Sequence, residues 1–401
     1  MKDKNTEVMQ TLNAAHIPVY RRYPVVVSRA NGKYVWDVRG RRFLDMFSGI
    51  SVTNFGHSHP KITRAAVNQL SNYAHLSNYY YSQAQARLAQ VLSKRTLGGG
   101  VFFSNSGAEA NECAVKIARK WGQGRYEIIT FKDSFHGRTL AMLAATGDEQ
   151  FQRGFGPIPD GFVQAEFNNL GSVKQKINNH TVAVMVEIVQ GEGGINVATP
   201  NFLRGLEYLC NEKNLLLICD EIQTGLGRCG RFLAGDNFGI KPDIVTLGKA
   251  LGGGLPLAAT LVTPKLTGVM SYGDHGSTFG GNPVACAAGF AMVQMLDIPR
   301  FERIKHLGKV LEEGLNDIVK EHSDLVREAR GLGLMWGLEL NGPGAWLVDE
   351  LREQSHILVN CTHERVLRFL PPFIINAKDI LYLVSSIDKA LANHAEKGAK
   401  I

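Results

Sequence analysis

Leu215 to Leu255 reads LLLICDEIQTGLGRCGRFLAGDNFGIKPDIVTLGKALGGGL, and two short apolar runs within it decide the fold. Leu215–Cys219 and Ile244–Leu247 have the length and β-branched content of buried strands. Each is followed by a charge that a buried strand would not choose: Asp220 after the first, and Lys249 just past the second. In open α/β sheets, ligands bind outside the carboxyl ends of parallel strands, so both charges are expected where a ligand sits.

An acid and a lysine so placed meet the needs of pyridoxal 5'-phosphate. The amine captures the aldehyde, and the carboxylate keeps the pyridine nitrogen protonated so that the ring accepts electrons. The same two residues would also serve as an ordinary ion pair at a sheet edge. The rest of the chain has to choose between these.

Outward from this stretch, strand and helix patterns alternate. Val101–Ser104 reads as a strand running into SNSGAEANECAVKIARKW, where Ser106 and Glu109 form a capping box and Ala110, Cys113, Ala114 and Ile117 make the buried stripe of a helix. Ser106, Gly107 and Ala108 thus lie at a helix N-terminus, which favours an anion such as phosphate, although many capped helices bind nothing. Tyr126–Phe131 is the next strand, followed by Phe135 and Arg138. The aromatic can stack on a flat ring and the arginine can grip a carboxylate, or the two are a core Phe and a solvated Arg. Thr181–Val189 carries Glu187 within an apolar run, where a carboxylate must be paired, protonated or functional. Glu192 follows in GEGG, Leu257–Val262 is a further strand, and Thr278 sits in the glycine-rich loop SYGDHGSTFGGNP.

The alternation from Val101 to Val262 predicts an α/β fold with a mainly parallel sheet covered by helices on both faces. The last hundred residues read as a smaller α+β unit. Strands at Val25–Ser28 and Tyr34–Val38, around the Asn31-Gly32 turn, are expected to pair with it. The expected units are residues 1–48, an N-terminal segment joining the small domain; 49–297, the large domain; and 298–401, the small domain.

The 401 residues allow two or three domains, with 44% hydrophobic and 20% charged residues as in ordinary globular proteins. A net charge of +7 without a basic run interleaved with aromatics argues against nucleic acid and for anionic small molecules. No apolar run approaches the ~18 residues of a membrane span, and no secretory h-region is present, so a cytoplasmic protein is expected. Six cysteines without Cys-x-x-Cys or metal-type spacing read as reduced core thiols. His57 and His59 lack a third ligand at a recognisable spacing, so no metal site is expected.

With these residues assembled, the chain resembles the class III pyridoxal-phosphate-dependent aminotransferases. FFSNSGAEANE, SFHGRT, EIVQGEGG, DEIQTGLGR, PDIVTLGKALGGG, HGSTFGGNPVACAAG, RGLGLMWGLEL and VLRFLPP carry the resemblance in the family's order, from about Tyr20 to the last helix. Ile188 and Cys229 stand where the family more often has Pro and Thr, at positions with no chemical role.

The resemblance implies a fold type I transferase with pyridoxal 5'-phosphate. It places Lys249 on the aldehyde and as proton shuttle, Asp220 on the pyridine nitrogen, and Gln223 on the phenolic oxygen. Phe135 and Ile222 would cover the two ring faces. Ser106, Gly107 and Ala108 would hold the phosphate with Thr278 from the partner subunit of a homodimer that shares its active sites.

The implied reaction moves the terminal amine of N2-acetylornithine to 2-oxoglutarate. Succinyl-diaminopimelate, ornithine, 4-aminobutyrate and carrier-linked lysine are the alternative donors. Arg138 would bind the remote carboxylate, and Arg368 the near carboxylate of glutamate. Glu192 would mask Arg368 when that carboxylate is absent, and Tyr20 would touch the remote part of the donor.

Overall fold

The computed structural model describes residues 4–398, so the outermost residues of the two terminal units lie outside it. Among the described residues, seventeen strands build four sheets. β1 (Val27–Asn31), β2 (Tyr34–Asp37) and β3 (Arg42–Asp45) form an antiparallel meander.

Next come β4 (Val101–Ser104), β5 (Glu127–Phe131), β6 (Phe162–Ala165) and β7 (Thr181–Glu187). The short hairpin β8 (Val189–Gln190) and β9 (Asn196–Val197) follows. Then come β10 (Leu216–Asp220), β11 (Ile244–Leu247) and β12 (Ala258–Val262). The C-terminal strands are β13 (Val326–Leu332), β14 (Met335–Leu340), β15 (Ile357–Leu358), β16 (Asn360–Thr362) and β17 (Val366–Phe369).

The large sheet has the order β4-β12-β11-β10-β7-β5-β6. It is parallel from β11 to β6, and β12 alone runs antiparallel to both of its neighbours. Every residue of β7, β10, β11 and β12 is buried, because helices cover both faces. The helix Gly107–Trp121 turns Ala110, Cys113, Ala114, Ile117 and Ala118 inward, as its sequence spacing requires.

The small sheet, β13-β14-β17-β16, packs under the long helix Ile298–Glu321 and is antiparallel throughout. β15 leaves that unit to pair in parallel with β3, which joins the N-terminal meander to the C-terminal residues. The first strand begins at Val27 rather than Val25, and Arg42–Asp45 adds a third strand to the expected two.

One buried guanidinium ties these parts together. Arg228 donates from Nε to Ser51 Oγ (2.9 Å), from Nη1 to the carbonyls of Leu334 (2.9 Å) and Pro371 (2.7 Å), and from Nη2 to Asn54 Oδ1. No carboxylate pairs with it among the described residues, and burial lowers its pKa to about 9. All six cysteines are free, and five are buried. Among the described residues, no single helix is long and apolar enough to cross a membrane.

Candidate active site

Asp220 is the last residue of β10, and β7 places Glu187 beside it in register. Asp220 Oδ2 accepts from Asn111 Nδ2 and from His136 Nδ1, both at 2.8 Å, while Oδ1 accepts from the Ile222 amide at 3.1 Å. The carboxylate is thus fixed and buried. No ion pair joins it to Lys249 among the described residues. Burial alone would lower the His136 pKa, but the hydrogen bond and charge of Asp220, with Glu187, raise it. Glu187 accepts from the amides of Phe135 (3.0 Å) and Gly191 (3.4 Å), and burial pushes its carboxyl up to about 7.

Lys249 follows β11 through Gly248 and adopts φ 44°, a left-handed conformation that costs energy for a residue with a Cβ. Its pKa falls to about 8, mainly by burial and with help from the Arg368 charge, against Glu192, Asp220 and Glu187, which raise it. Its amine is therefore freer to act as a nucleophile at neutral pH than an ordinary lysine.

The helix Gly107–Trp121 opens on Ser106, and both halves of its capping box form: Ser106 Oγ accepts from the Glu109 amide (3.3 Å), and Glu109 Oε2 from the Ser106 amide (2.8 Å). First-turn amides at Gly107 and Ala108 have no intrahelical acceptor and carry the positive end of the dipole. A Cβ on Gly107 would lie 2.8 Å from Ile222 Cδ1, so only glycine leaves this passage open.

Arg368, in β17, is 1% exposed. Its Nη1 donates to Glu192 Oε1 (2.7 Å), the Gly191 carbonyl (3.0 Å) and Gln223 Oε1 (3.3 Å), and its Nε to Asn360 Oδ1 (3.2 Å). Nη2 has no acceptor among the described residues. Burial pushes the Glu192 carboxyl up, but the charges of Arg368 and Lys249 outweigh it and hold the carboxyl below its ordinary value.

Phe135 is half-buried and meets Phe151 edge-on at 5.9 Å. The exposed Arg138 guanidinium lies over Phe151 at 4.1 Å and Phe135 at 5.4 Å, with no carboxylate partner among the described residues.

Lys249, Asp220, Gln223, Glu192 and Arg368 therefore come together in one cluster, with Ile222 against Gly107 beside it. Tyr20 and Thr278 are both exposed. The Thr278 loop is tied next to the anion cradle, where Asn105 Nδ2 donates to Ser277 Oγ at 3.1 Å.

His136 and Asn111 were not singled out from sequence. His136 sits inside SFHGRT between two residues that were, and the buried stripe of the helix passes Asn111. Outside the cleft, Glu321, His322 and Asp388 bring possible metal ligands within 4.8 Å of one another, but His322 Nε2 is already engaged by Asp388 at 2.7 Å.

The residues present fit a phosphorylated pyridine aldehyde. His136 Nε2 and Asn111 Oδ1 are buried without hydrogen-bond partners, so the residues that fix the acid keep unmet polar capacity. An amine, a fixed carboxylate and a glycine-opened helix N-terminus match the aldehyde, the ring nitrogen and the phosphate. Fold and site together define an α/β transferase of the pyridoxal-phosphate type.

The chain belongs to the class-III aminotransferase family, whose pattern matches residues 17–391. It is 43% identical over 380 residues to the acetylornithine aminotransferase of Methanocaldococcus jannaschii, covering 93% of this chain and 95% of that one. It is 42% identical to the acetylornithine aminotransferase of Caldanaerobacter subterraneus, with 93% and 96% covered. Among solved structures, the ornithine aminotransferase from Toxoplasma gondii superposes with a TM-score of 0.94 at 31% identity, covering 98% of this chain and 96% of that one. The acetylornithine aminotransferase from Elizabethkingia anophelis gives 0.88 at 34% identity, with 98% and 100% covered.

Proposed function

We propose that the protein transfers the terminal amino group of N2-acetyl-L-ornithine to 2-oxoglutarate, giving N-acetyl-L-glutamate 5-semialdehyde and L-glutamate. When bound, pyridoxal phosphate supplies the group that carries the nitrogen between the two substrates and the ring that takes up electrons from the reacting carbon. Lys249 would hold the cofactor, and its amine, with a pKa lowered to about 8, would take up and return the proton at that carbon. Asp220, fixed by His136 and Asn111, keeps the ring nitrogen charged, and Gln223 meets the phenolic oxygen. Ser106, Gly107 and Ala108 hold the phosphate, and Phe135 and Ile222 cover the ring.

The substrates share one feature and differ in another. Acetylornithine, glutamate and 2-oxoglutarate all have a remote carboxylate, which Arg138 binds, with Tyr20 near the remote part of the donor. Only glutamate and 2-oxoglutarate carry a second carboxylate beside the reacting carbon, and Arg368 binds it. The observation that supports this reading is the pairing of the buried Arg368 guanidinium with the half-buried Glu192 carboxylate at 2.7 Å. Unmasking a buried guanidinium without a partner costs roughly 3–5 kcal/mol, so Glu192 serves when no near carboxylate is present.

The working form is a homodimer, with Thr278 supplied across the interface. Supporting this, Tyr79, Tyr80, Tyr81, Tyr272 and Phe279 are exposed around the Thr278 loop, beside a groove of about 1130 Å³. The free cysteines fit a reducing compartment, the cytoplasm.

Comparing half-reaction kcat/KM values for acetylornithine, succinyl-diaminopimelate, ornithine and 4-aminobutyrate tests the donor. Acetylornithine is expected to lead. Ornithine is the rival with specific support, from the 0.94 superposition, and an order-of-magnitude lead for it overturns the assignment. Lys249→Ala is expected to abolish turnover and the borohydride-sensitive visible band; activity near wild type removes Lys249 from its role.

A further inference from the structure

The segment Gly191–Ile195, GEGGI, is the tip of the β8–β9 hairpin and lies across the small sheet. Arg330, Gly337, Arg368 and Asn360 stand in one cross-strand row through β13, β14, β17 and β16. Arg330 donates to the Gly194 carbonyl from both Nε (3.0 Å) and Nη2 (2.6 Å). Its Nη1 is held by Glu328 and Glu339, each at 2.5 Å. Gly337 leaves room for the buried Ile195, whose Cβ would be 3.1 Å from a Cβ added there. Thr362, in β16, donates from Oγ1 to the Glu192 carbonyl at 2.6 Å.

The main chain of Glu192 is thereby fastened to the same sheet that carries Arg368. Relative motion of hairpin and sheet cannot part the two charges without breaking all of these contacts. Side-chain rotation of Glu192 can.

We propose that Thr362 and Arg330 are positioning residues for amino-donor selection. They hold the Glu192 backbone in register with Arg368, so the carboxylate swings while the main chain stays. This rests on the reading of Glu192 and Arg368 as a donor switch. Without the Thr362 hydroxyl, a half-buried carbonyl loses its donor and the Glu192 peptide gains freedom, so the masked state is less populated. Arg368 is then open more often, which favours donors with a near carboxylate and penalises those without.

The test uses the holoenzyme and the near-isosteric Thr362→Val. The ratio of half-reaction kcat/KM for glutamate over acetylornithine is expected to rise about five- to tenfold, the size of one lost hydrogen bond, mainly through KM. Thr362→Ser should restore the wild-type ratio, and the cofactor's visible band should stay unchanged. In a Glu192→Ala background, Thr362→Val should add nothing, because both act on one switch.

An unchanged ratio in Thr362→Val while Glu192→Ala shifts it refutes the anchor and leaves the switch standing. If neither shifts it, the switch falls as well. A shift that Thr362→Ser does not reverse, or that persists without Glu192, also overturns the proposal. Should Thr362→Val not fold, Thr362→Ala, which removes the same hydroxyl, must give the same change in ratio.

Discussion

At the scale of single residues, the site is a set of buried and half-buried charges, of which Asp220, Glu187, Glu192 and Arg368 are each held by named partners. Glu221, next to Asp220, shows what such burial does away from the chemistry. It accepts from the amides of Ala234 (2.6 Å) and Gly235 (2.8 Å) and from Thr224 Oγ1 (3.3 Å), yet burial still pushes its carboxyl up to about 7. The folded chain therefore keeps this proton at a pH where the unfolded chain has released it. Its contribution to stability is fully present below the ordinary carboxylate range and is lost as pH rises toward 7. A shift of this size is worth up to about 3 kcal/mol over the whole titration. Thermal unfolding of Glu221→Gln against wild type should show wild type gaining relative stability as pH falls from 7 to 5. A difference in Tm that is independent of pH would contradict the protonated, buried carboxyl.

At the scale of elements, the helix N-terminus at Ser106 depends on a glycine for its shape rather than for its flexibility. A Cβ on Gly107 meets Ile222 at 2.8–2.9 Å, and the Ile222 backbone is held by the hydrogen bond its N–H donates to Asp220 Oδ1. Gly107→Val should therefore push the anion cradle away from the acid and weaken pyridoxal phosphate retention by about one to two orders of magnitude, one or more charge-assisted hydrogen bonds being lost. Dialysis followed by absorbance measures it. Retention equal to wild type would mean that the cradle lies elsewhere.

This element was legible because the capping box, the apolar stripe and the preceding strand agree at three levels. So were β10 and β11, whose apolar runs each end on a charge. The alternation predicts a mainly parallel sheet but does not say which strand departs from it; β12 does, and the reason is physical. Only residues 248–257 separate it from β11, with no full helix among them, and parallel neighbours need a longer crossover. β6 was missed because three of its four residues are only half-buried at the sheet's edge, which leaves a weak apolar signal. The partnership of Arg228 with Ser51, Leu334 and Pro371 joins residues far apart in the chain, and no local pattern announces that.

At the scale of the whole molecule, the proposed homodimer makes Thr278 serve the partner's site rather than its own. Its loop is tied to Asn105 of its own chain through Ser277, yet Thr278 and Phe279 face outward beside the exposed Tyr79–Tyr81 and Tyr272. A face with that much aromatic surface is costly to leave in water, and a second copy of the same face would cover it. If the loop then reaches the neighbour's phosphate, each active site takes Lys249 from one chain and Thr278 from the other.

Mixing two damaged chains decides this. Lys249→Ala is inert alone, and Thr278→Ala should retain cofactor about tenfold less well, the loss of one charge-assisted hydrogen bond. After joint refolding with Lys249→Ala in excess, most Thr278→Ala chains sit in mixed dimers. There, an intact Lys249 faces an intact Thr278 from the other chain, so cofactor affinity and activity per functional lysine should return to wild-type values. If Thr278 instead serves its own cleft, no mixed dimer contains a complete site, and the mixture will show only the impaired activity of Thr278→Ala.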